Sequence, residues 1–178
     1  MSDQAVAERF LESTRKELRG LKRMAERALA QLNDDDLAWR PDAESNSIAI
    51  NIQHLHGNMM SRWTDMLTAD GEKPTRQRDA EFIQGARMDR QELMRRWEEG
   101  WARVFETFGT LRPDDLLKEV RLRGRPSSVL ETLQGHISHY AYHIGQMVFI
   151  AKRRKGQAWQ TLSIPRGMSR TWKPKPGD

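Results

Sequence analysis

The sequence has 178 residues, no cysteine and a formal net charge of +5 at pH 7. A chain of this length is expected to fold as one domain, and the missing cysteine excludes disulfides, iron–sulfur clusters and thiolate metal sites. Eight lysines and arginines against one aspartate follow residue 151, so the basic excess belongs to the C-terminal part of the chain and excludes a uniformly basic surface.

Hydrophobic periodicity predicts four long helices, which lie at residues 4–32, 47–67, 89–108 and 128–155. A loop of some twenty residues, 68–88, separates the second and third, and loops of that length in compact domains are often functional. A short segment at 116–122 is expected to be extended. The fourth helix is expected to start at Ser127 or Ser128, because Glu131 follows Ser128 at capping-box spacing. The pattern predicts an all-α fold, a four-helix bundle, as a single domain at 1–170 with a basic tail at 171–178.

The five histidines fall in two groups, and the later group has the spacing of a metal site. His139 and His143 are one helical turn apart, so both imidazoles project from one face of the fourth predicted helix. A third neutral nitrogen from His54 or His56 would complete a three-histidine site with positions left open, which is the catalytic style of zinc coordination.

Helical geometry places these histidines differently with respect to the apolar side of each helix. With Ile137 taken as the centre of the apolar seam, His136, His139 and His143 form a second stripe beside that seam, on the flank of the fourth helix. On the second helix, His56 falls inside the apolar stripe.

His54 lies almost opposite that stripe, among polar residues that include Asn51 and Asn58. Periodicity alone therefore nominates His56 as the inward residue, either as a ligand or as a core histidine.

Several motifs resemble those of the DinB/YfiT-like superfamily, in its branch of unknown function, and together they cover nearly the whole chain. They are Asn46–Ala49, His54-Leu55, Asn58–Trp63, Asp70–Lys73, Arg76, Arg78-Asp79, Glu81-Phe82, His139–Gln146 and Ser163–Gly167.

The resemblance implies a four-helix bundle, commonly dimeric, with a divalent metal held by His54, His139 and His143. The ion would be nickel or zinc, with iron or manganese as further candidates, since imidazole suits several of them. His56 and His136 do not match ligand positions of the family. Gln146 and Asn58 are candidates for orienting the imidazoles.

Two classes of function remain open. The resemblance implies an enzyme, either a metal-dependent hydrolase or a transferase of a small thiol, with an unidentified small-molecule substrate. Three neutral histidines would leave the ion its full charge, which acidifies water or a thiol. The loop carboxylates Asp79 and Glu81 reach such a centre only if the loop folds over it, and Arg76, Arg78 and Arg166 are candidates for binding an anionic substrate.

The other class is a stress-associated, non-catalytic or nucleic-acid-binding protein. Arg123-Gly124-Arg125-Pro126 has the sequence of an arm that inserts into the minor groove, but its position just before a helix cap favours a tight connector. Nucleic acid is therefore not the expected partner.

Three further expectations concern surroundings and assembly. The first residues carry acids before any apolar run, and no stretch reaches the length of a membrane span, so a cytoplasmic location is expected. The apolar stretch 159–168 is expected to pack back near the metal cleft. Trp63, Trp97, Trp101 and Trp159, with nine methionines, exceed what one helical seam consumes, which favours a homodimer.

Overall fold

The computed structural model describes residues 2–83 and 89–173, and within them the chain is mostly helical, as the sequence predicts. The described elements are α1 (Asp3–Leu29), α2 (Asp34–Ala38), α3 (Ile48–Trp63), α4 (Arg90–Thr110), α5 (Val129–Lys155), β1 (Glu119–Leu122) and β2 (Arg125–Ser128). The four long helices match the predicted segments to within a few residues at each end. The short helix α2 and the second strand were not predicted.

Local capping explains where the helices of the described chain begin. The predicted capping box of the fourth helix is confirmed: Ser128 accepts from the Glu131 N–H, and Glu131 accepts from the Ser128 N–H. Ser47 caps α3 through the N–H of Ile50. Asp89 precedes α4 as predicted but makes no capping hydrogen bond with its side chain.

Helix α3 lies at the centre of the packing. It contacts α4 along its length and also packs against α5, while α1 packs against α5. Twelve of the sixteen residues of α3 are buried, so its polar stripe faces protein as well as its apolar one. Periodicity alone, which nominates His56 as the inward residue, therefore does not identify all of the interior face of this helix.

The buried face of α5 differs from the predicted seam. Its buried side chains include Leu133, His136, Tyr140 and His143, whereas Ile137 is only half-buried. At 100° per residue the centre of the buried face is rotated roughly 75° from Ile137 toward the histidines. His136 and His143 therefore lie in the interior and not on the flank of the helix, and His139 is half-buried beside them.

The segment after α3 folds back over that helix and is tied to the β hairpin. Asp70 accepts hydrogen bonds from the Arg123 and Gly124 N–H groups, at 2.9 and 2.7 Å. The Gly71 N–H donates to the Arg121 carbonyl at 2.8 Å. A 3-10 turn at Arg78–Phe82 then carries the chain across α3. Of the predicted loop 68–88, the last five residues lie outside the described part.

The C-terminal segment packs back, but not beside the histidines. Trp159 and Leu162 pack against the core, and the Gln160 N–H donates to the Gln31 side chain at 2.8 Å, near the end of α1. Along α5 the histidine pair is about 18 Å or more from Lys155, at 1.5 Å per residue. The expected location near the cleft is therefore wrong, because α5 continues well past the histidines. Most of the predicted tail, from residue 174 onward, lies outside the described chain.

Among the described residues, no helix has the length and apolar character needed to cross a membrane.

Candidate metal centre

Three histidines from two helices converge in the interior. His54 comes from α3, and His139 and His143 come from α5. One nitrogen of each lies within 4.8 Å of the corresponding nitrogen of the other two. The ring centroids of His54 and His143 are 4.7 Å apart, and so are those of His139 and His143. The structure thus brings together the three positions to which the resemblance pointed.

Hydrogen bonds determine which nitrogen of His54 and of His143 is available to bind a metal. His54 Nδ1 lies 2.9 Å from Glu81 Oε2, and His143 Nδ1 lies 2.8 Å from Asn51 Oδ1. Carboxylate and amide oxygens accept, so both Nδ1 atoms donate and each Nε2 presents a lone pair. This arrangement, an outer oxygen that fixes the tautomer of each imidazole, is typical of histidines that bind metals.

The spacing of the nitrogens fits a divalent cation. His54 Nε2 and His139 Nε2 are 3.2 Å apart. Two nitrogens bound tetrahedrally to zinc, at bonds of about 2.0–2.1 Å, lie roughly 3.3 Å apart. His139 Nδ1 is enclosed without a hydrogen-bond partner among the described residues, so Nε2 is the atom of that ring directed at its neighbours. The donor set is all imidazole, which suits zinc and nickel.

Burial keeps two of these imidazoles neutral. Desolvation, aided by the neighbouring His143 and His54, lowers the pKa of His139 to about 3. Burial, with a contribution from His54, lowers the pKa of His143 to about 4. Both rings are therefore neutral at neutral pH, so a metal ion could bind them without first displacing a proton.

Glu81 reaches the centre because the loop does fold over α3. Burial acts to raise the pKa of this carboxyl, but hydrogen bonds from Arg76 and His54 outweigh it and hold the pKa below its usual value. Arg76 Nε and Nη2 donate to the two carboxylate oxygens at 2.7 and 2.8 Å. Glu81 is thus a fixed anion that orients His54. Asp79, its candidate partner from the sequence, is fully exposed and contacts none of the three imidazoles.

The other two histidines play different parts. His56, which periodicity had nominated, lies 3.1 Å from Glu99 on α4, away from the centre, so that nomination was wrong. His136 stacks between Trp63 and Tyr140, with ring centroids 5.3 and 5.6 Å away, and burial lowers its pKa to about 3.

A cavity of about 600 Å³ opens beside the three histidines. Its walls come from α3, α5, the loop and the hairpin, and its lining includes Asn58, Arg76, Arg78, Phe82, Tyr142 and His136. That volume lies within the range of small-molecule sites. Two sequence candidates fall elsewhere: Gln146 faces a different groove, and Arg166 is exposed in the C-terminal segment.

Arg123-Gly124 forms the turn of the hairpin and not an arm. Both residues have positive φ, 53° and 73°, as a tight two-residue hairpin requires. The predicted connector is therefore correct, and the geometry of a flexible minor-groove reader is absent from this tetrapeptide.

Sequence reasoning missed Asn51, which fixes the orientation of His143. The signal was present, since Ser47, Asn51, His54 and Asn58 recur at helical spacing along α3. Periodicity alone did not identify this stripe as interior, because nothing in the local pattern reveals that α5 covers it. Asn58, the other proposed orienting amide, accepts from the Tyr140 hydroxyl at 3.2 Å and bonds to no imidazole.

Fold and site together define a mostly helical protein with a buried three-histidine group able to hold a metal ion. The chain belongs to the family described as "Protein of unknown function (DUF1572)", which matches residues 5–168. No curated protein matches the sequence.

Proposed function

We propose that the protein is a metal-dependent enzyme of the DinB/YfiT-like type, in which His54, His139 and His143 hold one divalent ion. The observation that carries the proposal is a pair of hydrogen bonds. His54 Nδ1 donates to the carboxylate of Glu81, and His143 Nδ1 donates to the side-chain oxygen of Asn51. Such pairing leaves both Nε2 lone pairs turned toward His139. Two Nε2 lone pairs that converge on a third imidazole are suited to hold a cation.

The ion proposed is nickel or zinc, with iron or manganese as less favoured occupants. Three imidazoles suit the first two, and the nearby carboxylate Glu81 is already bound by Arg76 and His54. Oxygen-preferring ions would need such a carboxylate as a ligand. When bound, the ion supplies Lewis acidity, which acidifies water or a thiol and polarises a substrate oxygen.

The reaction proposed is hydrolysis, or transfer of a small thiol to an electrophile. The residues of the chain would shape it as follows. Glu81 keeps His54 in one tautomer, and its ion pair with Arg76 makes it a poor proton acceptor. Phe82 and Tyr142 flank His54 and His143 at ring distances of 4.7 and 4.5 Å, and the half-buried Phe82 would exclude water from that end of the cavity.

We further propose that the helices form a four-helix bundle of this superfamily. The packing of α3 against α4 and α5, and of α1 against α5, is compatible with that architecture. In such a bundle a single helix, α5, can present His139 and His143 to His54 of the facing helix α3.

We also propose a homodimer, although not for the reason that the sequence suggested. Trp63, Trp97 and Trp101 are fully buried in the core and leave no excess of aromatic surface. The surface that favours association is instead the outer face of α5, where Tyr142 and Phe149 are 53% and 70% exposed. Light scattering should give twice 20.7 kDa. Phe149→Glu should give the monomer mass, whereas Leu117→Glu, at an exposed residue elsewhere, should not.

The test of the metal proposal is elemental analysis of the purified protein and its variants. About one ion per chain is expected in the native protein, and none in His139→Ala or His143→Ala. His136→Ala, which removes a buried histidine of the same helix, is the matched control and should keep its ion. Stoichiometric metal in the His143→Ala protein would refute the assignment.

A further inference from the structure

Arginines dominate the charged lining of the cavity beside the histidines. Its charged residues, apart from the histidines, are Arg62, Arg76, Arg78, Arg121, Arg123 and Glu131. Glu131 is committed to the Ser128 N–H and hydroxyl at the start of α5. Arg121 is committed to the Gly124 carbonyl and Glu119. The cavity therefore presents cationic groups beside its apolar residues.

The carboxylates that balance these arginines stand behind them and do not line the cavity. Glu72 accepts hydrogen bonds from Arg62 at 2.7 Å and from Arg123 at 3.1 Å, and Arg76 lies 3.7 Å from it. Arg76 forms its closer ion pair with Glu81. Arg62 and Arg76 have side chains only 9% and 4% exposed, so their positions are fixed by these contacts.

Two arginines remain able to bind something in the cavity. Arg78 lies 5.0 Å above the ring of Phe82, and its carboxylate contact, with the fully exposed Asp79, is 3.9 Å long. Arg123 makes one side-chain hydrogen bond, through Nε, to Glu72. Within the described chain, the Nη groups of both are free of hydrogen bonds. A guanidinium with free Nη groups is suited to bidentate binding of a carboxylate or a phosphate.

The remaining lining is apolar and aromatic. Val120 and Leu122 belong to the hairpin, Met66 follows α3, and Phe82 and Tyr142 flank the histidines. A ligand of this cavity would therefore have an apolar body as well as a charged group, and at about 600 Å³ the space suits a small organic molecule.

We propose that the cavity binds a small organic oxyanion, a carboxylate or a phosphate ester, whose anionic group is held by Arg78 and Arg123. Its apolar body would lie between the aromatic rings and the hairpin, with its reactive end at the three histidines. The identity of that reactive end rests on the proposed function, but the anion subsite does not, since neither arginine belongs to the metal centre.

The test is an NMR titration with phenyl phosphate and benzoate, with benzyl alcohol as the uncharged counterpart, on protein with and without a chelator. We expect both anions to shift the His136 and Phe82 resonances and to bind at least tenfold more tightly than the alcohol. The tighter of the two identifies phosphate or carboxylate as the preferred group. Arg78→Gln and Arg123→Gln should each raise the Kd at least tenfold, while Arg9→Gln, the same charge change on an exposed part of α1, should leave it within twofold.

Equal affinity for benzyl alcohol, an equal effect of Arg9→Gln, or full competition by chloride at the same ionic strength would overturn the subsite. Glu72→Gln gives a check of opposite sign, because removing the resident carboxylate should tighten anion binding. Selective anion binding by a native protein that binds no metal would refute the proposed function alone. Stoichiometric metal without anion selectivity would refute the subsite alone.

Discussion

The carboxylate of Glu81 occupies the space into which a side chain at Gly57 would project. A Cβ at position 57 would lie 2.6 Å from Glu81 Cδ, far inside van der Waals contact. Gly57 is one turn beyond His54 on α3, so the glycine opens the path by which the loop carboxylate reaches the imidazole.

Gly57→Ala is therefore expected to displace Glu81 from His54 and to weaken metal binding without removing a ligand. Loss of such an outer contact costs about 10- to 100-fold in metal affinity. Competition with a coloured chelator measures it. Gly20→Ala is the control, since a Cβ in that part of α1 meets nothing within 4 Å. That control should leave metal affinity unchanged and stabilise the protein by about 0.4–1 kcal/mol. Unchanged affinity in Gly57→Ala would show that Glu81 does not act on the centre.

Asn51→Ala should also weaken metal binding, because His143 would lose the oxygen that holds its Nδ1 proton. About a tenfold or larger loss is expected, measured in the same competition assay. Asn58→Ala provides the comparison, since Asn58 lies on the same polar stripe of α3 and bonds to Tyr140 instead of an imidazole. It should cost stability but not metal affinity. Equal losses of affinity in both variants would contradict the assigned role of Asn51.

Removal of metal by a chelator should lower the free energy of unfolding, because the ion binds the native arrangement of three helical side chains. At a hundredfold excess of free metal over Kd, the difference is about 2.7 kcal/mol. Thermal or denaturant unfolding with and without chelator measures it. His139→Ala should show no dependence on the chelator. The same dependence in native protein and variant would mean that the ion acts elsewhere.

The buried His136 should make the metal-free protein less stable in acid. Its folded pKa of about 3 lies below the unfolded value near 6.5, so the unfolded chain takes up the proton first and stability falls as pH falls between these values. Between pH 6 and pH 4 this group should remove about 2 kcal/mol. His136→Phe keeps the ring between Trp63 and Tyr140 and should lose less stability over that interval. Identical pH profiles for the two proteins would rule out a neutral, buried His136.

Local signals in the sequence were sufficient for the parts of the fold that depend on local chemistry. The spacing of His139 and His143 and the Ser128–Glu131 capping box are properties of one helix, and both appear as predicted. The choice between His54 and His56 was not local. Periodicity favours the apolar side of α3, but α3 is covered on both sides, so the polar stripe became the interior of the site.

The path of the loop could not be predicted from the sequence, because it depends on contacts with residues that are distant along the chain. That Glu81, and not Asp79, reaches His54 follows from its ion pair with Arg76 and from the space left by Gly57. The hairpin that forms the opposite wall reads in the sequence as a short extended segment and a connector. Neither pattern predicts which of the two carboxylates, Asp79 or Glu81, is buried.

Asp70 and the hairpin turn that it holds are 53 and 54 residues apart in sequence, yet they join the two walls of the cavity. Helices form from local contacts, whereas this bond between distant segments positions the loop against the hairpin. The imidazoles are carried by α3 and α5, whereas the loop and the hairpin form walls of the cavity. Substitutions in the hairpin, and in the loop away from Arg76 and Glu81, can therefore alter which molecule is accepted while the three imidazoles keep their positions, so that one scaffold can serve different chemistries.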